Sequence, residues 1–196
     1  MKRICVFCGS GRGIHPEYSE RARDLGRLLA RQKIGLVYGG AGVGLMGEMA
    51  RTALAEGGEV IGVIPKSLAE KEVALKELAD LRIVGSMHER KALMSDLSDG
   101  FIALPGGLGT IEELFEMLTW AQLGIHKKPC GILNIRGYFN HLISFLDHTV
   151  SQQFIQPANR RMIIIEKDID TLLKKFFAYK PPTEDKAKWA LGMKNT

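Results

Sequence analysis

Seven short apolar runs, four to six residues each, recur at residues 3–7, 35–38, 59–64, 81–84, 100–104, 129–133 and 162–165, most of them separated by helix-length segments. Runs this short are strands, and because they are apolar on nearly every residue they need cover on both faces, as in a parallel sheet with crossover helices. The intervening segments carry the helical period. His15-Pro16 opens one whose stripe is Tyr18, Ala22, Leu25 and Leu29, and Ile111, Leu114, Phe115 and Leu118 repeat in another. The sequence therefore predicts an α/β fold, a single-domain Rossmann-like doubly wound parallel sheet with helices on both faces. One domain accounts for residues 1–180, and residues 181–196, opening on Pro181-Pro182 and charged thereafter, read as a tail.

Charge narrows the function. The 27 Lys and Arg exceed the 22 Asp and Glu by five, which invites a nucleic-acid reading. The excess is dispersed, however: 15 basic against 13 acidic groups in residues 1–100, and 12 against 9 in residues 101–196. Arg21, Arg23, Arg27 and Arg31 share their segment with Glu17, Glu20 and Asp24, the composition of a solvated helix face rather than a phosphate stripe. No nucleic-acid partner is expected. Lys2 and Arg3 lead directly into a short strand, not a secretory leader, and the longest uncharged stretch, residues 34–47, is glycine-rich and too short to span a bilayer. A cytoplasmic protein without a membrane partner is the expectation. Cys5-Val6-Phe7-Cys8 has C-x-x-C spacing but falls at the first strand, where residues three apart point to opposite faces, and Cys130 alone cannot complete a zinc site. The three cysteines read as small buried hydrophobes in a reducing compartment.

In doubly wound sheets ligands bind beyond the carboxyl ends of the strands. Three of those ends are glycine loops: Cys8-Gly9-Ser10-Gly11, then Gly39-Gly40 through Gly42, Gly44 and Gly47, then Pro105-Gly106-Gly107-Leu108-Gly109-Thr110. Glycine lets backbone N–H groups approach an anion, and a following helix points its positive end at the same place. Tight turns alone explain one such loop better than three, so a phosphate is predicted. Gly42-x-Gly44-x-x-Gly47 has the dinucleotide spacing, but the acidic residue expected at the end of the next strand is replaced by Ile64-Pro65-Lys66. A mononucleotide held between loops fits better. The fifth-strand loop runs into Glu112, Glu113 and Glu116; Glu113 and Glu116 are expected to share a face, with Glu112 rotated away. Acids in a first helical turn also favour the helix dipole, but a carboxylate beside an anion site is costly unless it acts on the substrate, which singles out Glu113. The fourth strand leads to Arg90 and Lys91 near the same rim.

Pro105-Gly106-Gly107-Leu108-Gly109-Thr110-Ile111-Glu112-Glu113 follows the pattern P-G-G-x-G-T-x-x-E. With Ser86-Met87-His88-Glu89-Arg90-Lys91 and the Gly39-Gly40 to Gly47 loop, it resembles the Lonely Guy family of cytokinin-activating phosphoribohydrolases over residues 5–138, including residues 119–129. Gly11 and Ala41 stand where the family often has other small residues, and residues 68–79 form a more charged version of its loop.

The resemblance implies hydrolysis of an N6-substituted adenosine 5'-monophosphate, or AMP itself, to the free base and ribose 5-phosphate, in a homodimer and without a metal or cofactor. It implies Glu113 and Arg90 as catalytic residues, Glu113 stabilising the positive charge that develops on ribose and Arg90 holding the substrate and assisting the departing base, with Lys91 beside it. Gly106, Gly107, Leu108, Gly109, Thr110, Ile111, Glu112 and Glu113 would hold phosphate and ribose; Thr119, Ser10, Gly39, Gly40 and Met94 would line the pocket. Glu72 aligns with an acid that contacts substrate, though Glu70 could substitute. Related proteins are often labelled lysine decarboxylases, yet that chemistry needs a Schiff-base lysine, and Lys127-Lys128 before a strand reads as a solvated turn. The competing reading is a non-catalytic nucleotide or cofactor carrier related to molybdenum-cofactor carrier proteins, which would need the loops but not an acid and a cation facing one sugar.

Overall fold

The computed structural model describes residues 1–70 and 74–182. Seven parallel strands form one sheet in the order β4-β3-β2-β1-β5-β6-β7. They are β1 (Arg3–Phe7), β2 (Gly35–Tyr38), β3 (Val60–Pro65), β4 (Asp80–Val84), β5 (Phe101–Ala103), β6 (Cys130–Leu133) and β7 (Ile163–Glu166). Between and after them run α1 (Pro16–Arg31), α2 (Gly44–Ala55), the single turn α3 (Lys66–Ala69), α4 (Met87–Asp96), α5 (Leu108–Gln122), α6 (Asn140–Ser151), α7 (Pro157–Arg161) and α8 (Ile169–Phe177). The doubly wound α/β expectation holds. The charged tail from residue 183 onward and Glu72 lie outside the described residues.

Alternation along each strand builds the two layers. Ile4, Val6 and Cys8 face a core shared with Leu25 and Leu29 of α1, Met49 of α2 and Leu172 of α8, while Cys5 and Phe7 face Met94 of α4 and Met117 of α5. Beyond these, Ala103 and Ile132 pack with Leu114 of α5 and Leu146 of α6. Apolar character on every residue fails at the edges of the sheet. β4 carries Asp80 and Arg82, which pair with each other at 3.0 Å, and its Ile83 is 59% exposed, because an edge strand is covered incompletely. The arginines of α1 are tied to acids. Arg23 reaches Glu48 at 2.9 Å, Arg27 reaches Asp24 and Glu56, and Arg31 reaches Glu56. No helix among the described residues is long and apolar enough to cross a membrane.

The chain winds outward from β1 through β4, then returns to place β5 on the other side of β1. The connections leaving β1 and β5 therefore diverge, opening a crevice at their carboxyl ends where such sheets bind ligands.

Candidate active site

Two glycine loops meet in that crevice. The Gly9 N–H donates to the Pro105 carbonyl at 3.0 Å, which holds the loops after β1 and β5 side by side. The loop after β2 packs beneath the first of them. Gly44 has φ +57°, and a Cβ there would lie 2.2 Å from the Ser10 carbonyl, so only glycine permits this approach. The Leu45 N–H, at the start of α2, is taken by the Gly9 and Gly11 carbonyls at 3.1 and 3.3 Å, and the Gly40 carbonyl accepts from Leu75 N–H at 2.9 Å. The second loop thus serves in large part to lock the first.

The start of α5 is different. Its first intrahelical bond is Ile111 N–H to the Gly107 carbonyl at 3.2 Å, so the N–H groups of Leu108, Gly109 and Thr110 precede any acceptor in their own helix. These residues border a cavity of about 440 Å³, with Leu108 88% exposed at its mouth. N–H groups without an acceptor among the described residues, at the positive end of a fifteen-residue helix, are suited to an anion.

Arg90 and Glu113 line the same cavity. The Arg90 Nη1 donates to Glu113 Oε1 at 2.6 Å, and its Nε donates to the Val63 carbonyl at 3.1 Å. The two residues are 8% and 7% exposed. Local sequence fixes this meeting. The Ser86 hydroxyl caps α4 by accepting from Glu89 N–H at 3.1 Å, and the Glu89 carboxylate accepts from Gly85 N–H at 2.7 Å, so the helix start and hence the turn carrying Arg90 are set. Burial pushes the Glu113 carboxyl above its ordinary range, more strongly than the Arg90 guanidinium pulls it down.

Lys91 turns to a second acid pair. Its ammonium lies 2.5 Å from Glu112 and 3.1 Å from Glu116, and although burial disfavours its charge these bonds hold its pKa above the ordinary lysine value. The acids of α5 are therefore divided as Glu112 with Glu116 on Lys91, and Glu113 alone on Arg90. The expected pairing of Glu113 with Glu116 overlooked that residues four apart share a face as closely as residues three apart.

Of the residues the sequence points to, Ser10, Gly39, Arg90, Gly107, Leu108, Gly109, Thr110 and Glu113 line the cavity together. Gly106 borders a neighbouring cavity of about 320 Å³ that shares Ser10 and Gly107 with the first. Gly40, Lys91, Ile111 and Glu112 flank the site without lining it; Met94 is buried in the core under α4, and Glu70 sits at the exposed end of α3 beside Lys66. Thr119 lies in a separate groove with Phe115 and Leu118, its hydroxyl donating to the Phe115 carbonyl at 2.7 Å. Sequence reasoning missed the apolar wall of Ala41, Val43, Met46, Ile64 and Leu68, and missed Arg12, Tyr18 and Tyr138 around the neighbouring cavity. Lys128 donates to the Ser95 carbonyl at 2.8 Å, and no described lysine lines the larger cavity. Cys5 and Cys8 occupy opposite faces, their thiols pushed up by burial, and no group of His, Cys, Asp or Glu among the described residues could hold a metal ion.

Gly39 offers a sensitive test of the pair. A Cβ there would stand 2.3 Å from Arg90 Nη2, the movable end of a side chain. Gly39→Ala is expected to lower the melting temperature by several degrees at neutral pH, since a displaced guanidinium leaves the buried Glu113 carboxylate without its partner. By dislodging the guanidinium from Glu113 it should lower turnover by about tenfold or more. Thermal denaturation and steady-state kinetics on one preparation check both.

Residues 46–176 match a family described as "possible lysine decarboxylase". A cytokinin riboside 5'-monophosphate phosphoribohydrolase of Arabidopsis thaliana is 47% identical over 94% of this chain and 85% of its own length. A probable enzyme of the same name from Oryza sativa subsp. japonica is 49% identical over 92% and 80%. Among solved structures, the molybdenum cofactor binding protein of Rippkaea orientalis superposes with a TM-score of 0.67 at 22% identity, over 91% of this chain and 97% of that one. The molybdenum cofactor carrier protein of Chlamydomonas reinhardtii does so with a TM-score of 0.67 at 20% identity, over 91% and 99%. At such identities these two share the fold alone. The identity and coverage of the plant relatives, together with the P-G-G-x-G-T-x-x-E segment at the mouth of the cavity, show that the chain belongs to the Lonely Guy family of cytokinin riboside 5'-monophosphate phosphoribohydrolases.

Proposed function

We propose that the protein hydrolyses the N-glycosidic bond of N6-substituted adenosine 5'-monophosphates, releasing the free base and ribose 5-phosphate, and accepts AMP more slowly. The observation that carries this reading is the buried Arg90–Glu113 pair lining one cavity together with the open start of α5. The N–H groups of Leu108, Gly109 and Thr110 hold the 5'-phosphate, which seats the ribose between them and Glu113. As the C1'–N9 bond breaks, positive charge develops on the sugar, and the Glu113 carboxylate stabilises it. The carboxylate also accepts a proton from the water whose oxygen bonds to C1', the C1'–N9 electron pair departs with the base, which takes up a proton from solvent, and Arg90 holds the substrate and assists that departure. The wall of Ala41, Val43, Met46, Ile64 and Leu68 gives an apolar N6 substituent a surface to bury.

The protein acts as a homodimer. The half-buried Phe115, Leu118 and Ile155, with the exposed Thr119, rim a groove beside α5 that is floored by the buried Leu146 and Ile163 and edged by Gln122 and Arg160, and this groove is the surface offered to a second copy. Three buried free thiols suit a reducing compartment, the cytoplasm.

A non-catalytic nucleotide or cofactor carrier of the same fold is the second reading. It gives no use to an acid and a cation buried beside a sugar site. Incubation with N6-isopentenyl AMP, with AMP and with adenosine, followed by chromatography of released base, separates the two. Base is expected from both nucleotides, and release from adenosine should fall by about a hundredfold or more, because the phosphate site supplies binding energy spent at the reacting carbon. Nucleotide binding without any released base would establish the carrier reading instead.

A further inference from the structure

We propose that Tyr138 is a positioning residue for the phosphate-binding loop, acting through the Gly106 carbonyl; the role given to that loop rests on the reading under Proposed function. Tyr138 follows β6 by five residues, and its hydroxyl donates to the Gly106 carbonyl at 2.7 Å. Because the peptide unit is planar and trans, with no cis bond in the described chain, a hydrogen bond that fixes the Gly106 C=O also fixes the Gly107 N–H, which points the opposite way. Tyr138 lines the smaller cavity, and Gly107 is shared between the two. The hydroxyl thus directs the N–H of the α5 N-cap away from itself and orients the peptide leading into the anion site.

The segment delivering Tyr138 is built to hold still. Arg136 and Gly137 both adopt left-handed conformations, φ +53° and +72°, turning the chain sharply after β6. Arg136 Nη1 donates to Glu17 Oε2 of α1 at 3.0 Å. The buried Asn134 side chain accepts from Phe139 N–H and donates to Asn140 Oδ1, both at 2.9 Å. The Tyr138 ring stands edge-on to Tyr18 at 5.9 Å and to Phe139 at 4.9 Å, so its body is fixed by packing independently of its hydroxyl. On the other side of the loop, a Cβ at Gly106 would stand 2.1 Å from Thr110 Oγ1, so the peptide is confined between the Tyr138 hydroxyl and the first turn of α5.

Tyr138→Phe removes the hydroxyl and keeps the ring. Calorimetric titration with ribose 5-phosphate and steady-state kinetics with N6-isopentenyl AMP are expected to show Kd and KM raised about fivefold, with kcat within about twofold, the loss of one neutral hydrogen bond expressed in phosphate binding. The melting temperature should stay within about 2 °C, because both ring contacts remain. An unchanged Kd overturns the proposal, as does a lower melting temperature with unaltered affinity in the folded fraction, which would make Tyr138 merely structural. A wild type that binds ribose 5-phosphate yet releases no base would overturn the hydrolase reading, while a weaker Kd for Tyr138→Phe would still support the positioning role. A wild type that binds neither ligand overturns both.

Discussion

Glu113→Gln is expected to lower kcat by about a thousandfold while leaving KM within a few fold, because the carboxylate acts on charge that exists only in the transition state. Glutamine preserves the shape and can still accept from Arg90 through its carbonyl oxygen, so the loss belongs to the negative charge and the proton acceptor rather than to packing. The wild-type pH profile should carry the same signature. The reaction needs Glu113 ionised, and burial holds its pKa above the ordinary carboxyl value of 4.5 even with Arg90 beside it. Turnover should therefore rise with pH through a midpoint higher than an exposed glutamate would give, and that limb should vanish from the residual activity of the glutamine variant. Rates measured from about pH 4 to 8 for both proteins decide the matter. A variant retaining more than about a tenth of the wild-type kcat would remove Glu113 from the chemistry.

Much of the fold is written locally. Seven runs of β-branched and apolar residues, separated by segments with helical period, specify a parallel sheet, since each run needs cover on both faces and crossover helices supply it. Boundaries shift by a residue or so where pairing decides: Pro65 ends β3 opposite Val84, whereas Gly100 and Leu104 fall outside β5. Glu113 was legible because it follows a strand end through a glycine loop, whereas Arg90 was placed only near the same rim after the fourth strand and took its role from the resemblance. Their 2.6 Å contact was not legible, because it depends on how α4 and α5 are juxtaposed across the sheet. The different fates of the glycine loops were also hidden. Whether an N–H faces solvent or a neighbouring carbonyl is a tertiary fact, and only the structure shows Leu45 donating to Gly9 and Gly11. Tyr138 did carry a signal, since it lies beyond the carboxyl end of β6, on the rim where ligands are sought, but a turn without a glycine loop before a helix offers no anion-binding pattern to mark it.

Arg90→Met separates the stabilising and catalytic roles of the pair. The substitution takes a cation from Glu113 and a donor from the Val63 carbonyl, both inside the protein. Turnover should fall by about a hundredfold or more. At neutral pH the uncompensated buried carboxylate should also cost up to about 3–5 kcal/mol of stability, limited by how readily Glu113 takes up a proton instead. The pH dependence follows from the direction of the shift. Glu113 already has a folded-state pKa above its ordinary value, and losing Arg90, which lowers it, raises it further. Stability contributed by the protonated carboxyl is fully present below the unfolded pKa and is lost as pH rises through the folded pKa. The melting temperature of Arg90→Met should consequently lie closer to wild type near pH 5 than near pH 8, by several degrees. Adding Glu113→Gln should restore much of the stability at the higher pH, because no buried charge then lacks a partner, yet turnover should remain absent. Thermal denaturation of both variants at the two pH values, with activity assays alongside, tests this; a double variant no more stable at pH 8 than Arg90→Met would show that the guanidinium and carboxylate are not energetically coupled.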